Sequence, residues 1–272
     1  MDQYRDAAGI AGRGKVRGGP TELPTTSTTG KERSLDLGIV STVAPDSDIV
    51  LYSGNGHVFG ALQEAVWDDA NRVGVLSISY SIRDQASPAS PFHRAYAELA
   101  VDAALRNITV VQSSGDGGSG EGYGNGIPMV NTALSSPYSL IVGGTARTAA
   151  PQAATDATLR GPDGLLARAL AHDPSTLYGL VANGLKHLPT PSDPRPIVET
   201  VWNQNVFQRG SIDYGSGATS GGIDATRAQP DYQTAFGLEL VGAGPLADTG
   251  RGRPDVSALS SGGSRYLVPA AD

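Results

Sequence analysis

Short apolar, β-branched runs alternate along the chain with longer stretches of helical periodicity. Ile49-Val50-Leu51 is followed by an amphipathic stretch over residues 58–72, and this leads into Val73-Gly74-Val75-Leu76-Ser77-Ile78-Ser79-Tyr80. A second helical stretch over 91–106 has apolar positions Ala95, Leu99, Val101 and Leu105 and feeds Ile108-Thr109-Val110-Val111. Ser139-Leu140-Ile141-Val142 forms another continuous apolar run. Strand, helix, strand, helix, strand with apolar β-runs predicts an α/β fold, a mainly parallel sheet with helices on its faces.

Three regions depart from that rhythm. Residues 1–30 are rich in Gly, Thr and Pro without sustained periodicity and are expected to form an extended N-terminal segment, with the main domain spanning 31–272. Residues 146–191 shift toward Ala, Leu and Pro with one helical block at 165–188, and read as an insertion. From Glu199 onward the chain is again Gly-rich, and no internal repeat stands out.

Composition narrows the class. With 272 residues, 39% hydrophobic and 17% charged, the chain is long enough for one sizeable core, and 36 Gly with 18 Pro implies many tight turns. A net charge of −7 excludes a basic surface of the kind that binds nucleic acid, so no nucleic-acid partner is expected. The absence of Cys excludes disulfides, thiolate metal sites and cysteine nucleophiles. No apolar run approaches the roughly 20 residues a membrane helix needs, and the first residues lack the apolar core of a signal peptide; no membrane partner is expected.

The chemistry is carried by acids. Glu32 and Asp36 stand four apart in Glu32-Arg33-Ser34-Leu35-Asp36, a spacing that puts both carboxyls on one helix face, where they can share a proton. Asp116 follows an apolar strand inside Ser113-Ser114-Gly115-Asp116-Gly117-Gly118-Ser119-Gly120, at the carboxyl end of a parallel strand, where open α/β sheets place their ligands. Each acid alone reads as a solvated side chain. Other signals are weaker: Gly9 to Val16 nearly matches a phosphate loop but lacks its Ser or Thr and any preceding strand. His57, His93, His172 and His187 lack metal-ligand spacing, and Asn107-Ile108-Thr109 is a glycosylation sequon at a helix-to-strand junction.

Taken in order, these segments resemble the sedolisin family of serine-carboxyl peptidases, over roughly residues 30–145 and 199–268. The match includes Glu32 and Asp36, Leu76-Ser77-Ile78-Ser79-Tyr80, the Asp116 loop, and Ser135-Ser136-Pro137-Tyr138 through Val142-Gly143-Gly144-Thr145. Glu199-Thr200-Val201-Trp202-Asn203, Thr219-Ser220-Gly221-Gly222-Ile223 and Gly252-Arg253-Pro254-Asp255-Val256-Ser257 follow in family order. The resemblance implies a subtilisin-like fold and a secreted endopeptidase working on peptide or protein substrates in acid. Glu32 would be the catalytic base, Asp36 its partner and Asp116 the oxyanion stabiliser, with Ser79, Tyr80 and Ser81 along the substrate.

The family's Gly-Thr-Ser nucleophile segment is not found between Val256 and Asp272, and Ser264 stands too close to Pro254-Asp255-Val256 to replace it. The chain is therefore expected to be a partial catalytic domain lacking the C-terminal nucleophile region and inactive alone, with the Ser supplied by a further segment or chain. No cofactor or metal is expected within it, since the resemblance implies a calcium ion only in the region beyond the nucleophile. The alternative is a non-catalytic sedolisin-like protein that binds peptides or serves a structural role. Tyr80 stands where the family often has Trp, so subsite preferences do not carry over.

Overall fold

A computed structural model describes residues 2–21, 30–80, 90–120, 130, 135–149, 164–182, 185–203, 206–208, 211–213, 217–240 and 249–260. Its centre is a sheet in the order β11 (Val256–Leu259), β5 (Ser139–Ala149), β4 (Thr109–Ser113) and β3 (Val75–Ile78), all parallel. Strand β6 (Pro196–Val201) joins antiparallel along the far half of β5. Two small antiparallel ribbons pair β7 (Val206–Gln208) with β8 (Ser211–Asp213) and β9 (Gly222–Asp224) with β10 (Arg251–Arg253). The α/β class and the mainly parallel sheet agree with the sequence pattern.

Helices α3 (Val58–Val66) and α4 (Pro91–Leu105) pack on one face of the central sheet. Leu62, Ala65 and Val66 of α3 meet Leu76 and Val110 of the strands and Tyr96, Leu99 and Ala103 of α4, forming the main core. Phe59 and Phe92 set their rings against Tyr96 at centroid distances of 4.9 Å each, in edge-on geometry. The opposite face exposes Val75, Leu140 and Val256, which the strand registers place on one side.

Local chemistry sets the helix ends. Ser90 caps α4 by accepting the His93 N–H at 3.1 Å, with Pro91 in the first turn. The helix stops where Asn107 turns to φ 60°, a left-handed position that Asn tolerates, and this gives the Asn of the sequon a structural reason. Helix α3 ends at Val66 rather than near 72 because the Asp68 carboxylate accepts the N–H groups of Ala70 and Asn71, both at 3.0 Å, and winds the chain into a turn.

Two expectations are corrected at the periphery. Residues 1–30 are not wholly extended: α1 (Asp2–Ala8) is helical, and β1 (Val16–Gly18) pairs parallel with β2 (Ile49–Leu51). Helix α1 lies against α2 (Gly30–Val43), with Tyr4 Oη 3.1 Å from Thr42 Oγ1. Lys15 leads directly into β1 and its N–H donates to Asp48 at 2.9 Å, so the near-match to a phosphate loop lacks the strand-loop-helix context. The expected helical block over 165–188 is two helices, α5 (Leu165–Leu170) and α6 (Pro174–Ala182), because Asp173 accepts the Thr176 N–H at 2.8 Å and starts a new helix. Strand β5 runs through to Ala149, so residues 146–149 belong to the sheet.

Strands β10 and β11 are locked by one carboxylate. Asp255 Oδ2 accepts the Ile141 N–H and the fully buried Arg251 guanidinium, each at 2.8 Å, while Oδ1 accepts from Tyr232 and Gln233 at 3.2 Å. Gln233, on the short helix α7 (Asp231–Ala235), also exchanges two hydrogen bonds with the backbone of Gly252 in β10. Removing Asp255 would leave the Arg251 charge buried without its ion-pair partner. Asp255→Ala is expected to cost about 3–5 kcal/mol in urea-induced unfolding, and a loss under about 1 kcal/mol would show that this pair does not hold the strands.

Candidate active site

The acidic pair rises from α2. Glu32 and Asp36 are one turn apart and both half-buried, and further along the helix the Ser41 and Thr42 hydroxyls donate back to the Gly38 carbonyl. At the carboxyl end of β3, Ser79 Oγ donates to Asp36 Oδ1 at 2.7 Å. A strand end and a helix face thus meet through one hydroxyl.

Asp116 comes from the turn after β4, where Gly115 takes φ 111°, a backbone state that side chains strongly disfavour. That turn is knitted to residues 217–220. The Asp116 carbonyl accepts the Ala218 N–H at 2.8 Å, Gly118 returns a hydrogen bond to the Ala218 carbonyl at 2.9 Å, and Ser220 N–H reaches the Gly115 carbonyl at 2.9 Å. Thr219 Oγ1 accepts the Gly144 N–H at 2.7 Å and sits 3.2 Å from Ser114 Oγ. Trp202 closes the group, because a Cβ on Gly144 or on Gly217 would meet its indole ring within 3 Å.

The structure therefore brings together segments far apart in sequence: the 113–118 turn, Gly144, Trp202-Asn203 and 217–220 form one scaffold under Asp116. Of the residues selected from the sequence, Glu32, Asp36, Asp116 and Ser79 converge. Tyr80 follows Ser79 and is 39% exposed, while Ser81 and Ser264 lie outside the described residues. Asp116 is itself exposed, and its neighbour is the like charge of Glu32.

Electrostatics follow from the convergence. Burial raises the Glu32 carboxyl above the ordinary glutamate value, the negative charges of Asp36 and Asp116 raise it further, and the Ser79 hydroxyl pulls back. Burial also raises Asp36, again against the Ser79 hydrogen bond. Among the described residues, no group of three or more His, Cys, Asp or Glu is arranged to hold a metal ion, and no helix is long and apolar enough to cross a membrane.

Two parts of the site escape sequence reasoning. Thr219 is visible only as a piece of a motif; its work as a strut between β5 and the Asp116 turn depends on a pairing 75 residues away in sequence. Ser79 reads from the resemblance as a substrate contact, whereas its hydroxyl faces the acids.

No protein-family model matches the chain. In sequence it is 27% identical over 258 residues to kumamolisin from Bacillus sp. (strain MN-32), a match that takes in 92% of the chain. The chain is similar to the sedolisins in fold. Its fold is that of Pseudomonas sedolisin, a serine-carboxyl proteinase whose solved structure holds two molecules of pseudo-iodotyrostatin: the TM-score is 0.61 at 21% identity, over 98% of this chain. The chain spans only 37% of the length of kumamolisin and 62% of that sedolisin chain. These relatives are serine-carboxyl peptidases, and the sedolisin fold has the same subtilisin-like α/β plan.

A carboxyl whose pKa is higher in the folded than in the unfolded chain favours folding fully below its unfolded value, and that contribution is lost as pH rises through the folded value. Glu32 and Asp36 should thus stabilise the fold in acid and weaken it toward neutrality. Glu32→Gln is expected to raise Tm by about 2–4 °C at pH 7 and to leave it unchanged near pH 3.5; calorimetry at the two pH values checks this, and an equal effect at both would refute the electrostatic account.

Proposed function

We propose that this chain carries the acid-base part of a secreted serine-carboxyl endopeptidase that hydrolyses peptide bonds in acid. The observation that carries the reading is the convergence of three acids from two distant segments, with Glu32 pushed up by burial and by both other charges. A general base works best when its pKa lies near the working pH, and a raised glutamate is suited to a mildly acidic one, where histidine would already be protonated. Relationship to kumamolisin and the sedolisin fold support the reaction class.

In this reading Glu32 takes the proton of a serine hydroxyl as the oxygen attacks the peptide carbonyl, and Asp36 holds Glu32 in place. Asp116, carrying a proton in acid, donates a hydrogen bond to the oxyanion. Glu32 then gives its proton to the leaving amine, and water enters by the reverse sequence to release the acyl group. In this reading the serine is supplied by a further segment or chain. Among the described residues strand β3 ends the strand order of its sheet, so a substrate can lie along Ser79-Tyr80-Ser81 as an added strand. The same edge favours the second reading, a peptide-binding homologue without catalysis.

Extending the chain with the coding sequence that follows it in its gene, and assaying peptide hydrolysis between pH 3 and 7, separates the two. The extended protein should cleave with an acid optimum while the 272-residue chain does not. Glu32→Gln should lower kcat by about 10²–10⁴, and Asp116→Asn by about 10²–10³. Hydrolysis by the 272-residue chain that Glu32→Gln abolishes would overturn the claim of inactivity. An extended protein that binds peptide but cleaves none would leave the binding reading.

A further inference from the structure

A small cavity lies between helices α3 and α4 and the central sheet. We propose that it is a binding site for a single water molecule, which joins the Tyr96 hydroxyl of α4 to the Gln112 amide of β4 and so fastens the helix to the strand that leads into the Asp116 turn. The inference stands apart from the peptidase reading.

Gln112 is out of character for its place. It sits within β4, with Ile78 of β3 opposite on one side and Ile141 of β5 on the other, and only 2% of its surface is exposed. Buried parallel strands favour apolar β-branched residues, and an amide taken out of water is costly there unless it is hydrogen-bonded. Its Nε2 is fully buried and meets no hydrogen-bonding partner among the described residues. Tyr96 shares the difficulty. It is 4% exposed, its ring is held edge-on by Phe59 and Phe92, and its hydroxyl is buried with no partner among the described residues. Burial alone pushes the hydroxyl's pKa up, so it keeps its hydrogen.

Both groups line one cavity of about 20 Å³, whose walls include the apolar Leu62, Val66 and Leu99. A buried water needs roughly 10–15 Å³ and two to four polar partners. The cavity has room for one. Gln112 Nε2–H donates to the water oxygen, and Tyr96 Oη exchanges a hydrogen bond with it. Ser136, also buried, lines the same cavity and is the third partner: its Oγ accepts the Tyr138 N–H at 3.2 Å and has its own hydrogen to give. Among the described residues no charged side chain lines the cavity, so an ion would lack the countercharge that burial demands. The occupant is thus small, neutral and an acceptor.

The position gives this water a task. Tyr96 and Leu99 share a face of α4, Val110 and Gln112 share a face of β4, and all four line the cavity. Gln112 stands three residues before Gly115, where the chain turns toward Asp116. The bridge therefore ties helix to strand just ahead of that turn.

A crystal structure of the 272-residue chain, with a bromide soak alongside, tests the site. The expected result is one density peak about 2.7–3.2 Å from both Tyr96 Oη and Gln112 Nε2, without anomalous signal from bromide. Direct contact between the two groups with no peak between them, or a bromide peak, would overturn the water. In solution, Tyr96→Phe and Gln112→Met should each raise the unfolding equilibrium constant about tenfold, since each leaves the other group buried and short of a partner. The double variant should fall well short of the roughly hundredfold that independent sites would give, because one molecule serves both. A full hundredfold would overturn the bridge. If a variant does not fold, the density and a water-to-Gln112 side-chain NOE in the unaltered chain still decide. None of these readouts depends on peptide hydrolysis, so failure of the peptidase reading leaves them unmoved.

Discussion

The architecture depends on a single buried carboxylate. Asp255 binds the backbone of β5 at Ile141, the guanidinium of Arg251 and the side chains of Tyr232 and Gln233. Because Arg251 is fully buried, its charge is tolerable only with that partner and with the Ser139 carbonyl it also reaches at 2.9 Å. The pair fixes β11 beside β5, and β5 in turn carries Gly143 and Gly144. Gly143 gives way to Pro254 and Gly144 to Trp202, so strands, loop and indole settle as one unit.

On that unit the acids are arranged by backbone rather than by side-chain packing. Asp116 is aimed by a turn whose main chain is hydrogen-bonded to residues 217–220, and its own side chain is left exposed. Glu32 and Asp36 are set by helical spacing, with the Ser79 hydroxyl on Asp36. The field at Glu32 therefore comes from where two main-chain segments run, and the side chains only have to be carboxylates.

Much of this was legible in the sequence, for definite reasons. Apolar β-branched runs such as Ile108-Thr109-Val110-Val111 announce buried parallel strands, and four-residue spacing announces a shared helix face, so the sheet and the acidic pair could be read directly. Helix α1 was not legible because Asp2–Ala8 is seven residues with no apolar period, held by tertiary contacts: the Arg5 guanidinium on the Gly14 carbonyl and Tyr4 on Thr42. The break between α5 and α6 was hidden because the apolar pattern continues across Asp173, which acts through its carboxylate and not through hydrophobicity. The exposure of Asp116 and the roles of Ser79 and Thr219 were out of reach, since each depends on which chain segments become neighbours.

The origins of the three acids have a mechanical consequence. Glu32 and Asp36 ride on one helix turn and move together, so thermal breathing of the domain leaves their mutual distance nearly fixed. Asp116 is carried by the turn after β4, and any sliding of α2 over the strands alters its separation from both acids. Of the couplings at the site, one is stiff and one is compliant. The compliant coupling makes the basicity of Glu32 a gauge of how tightly helix and sheet are pressed together.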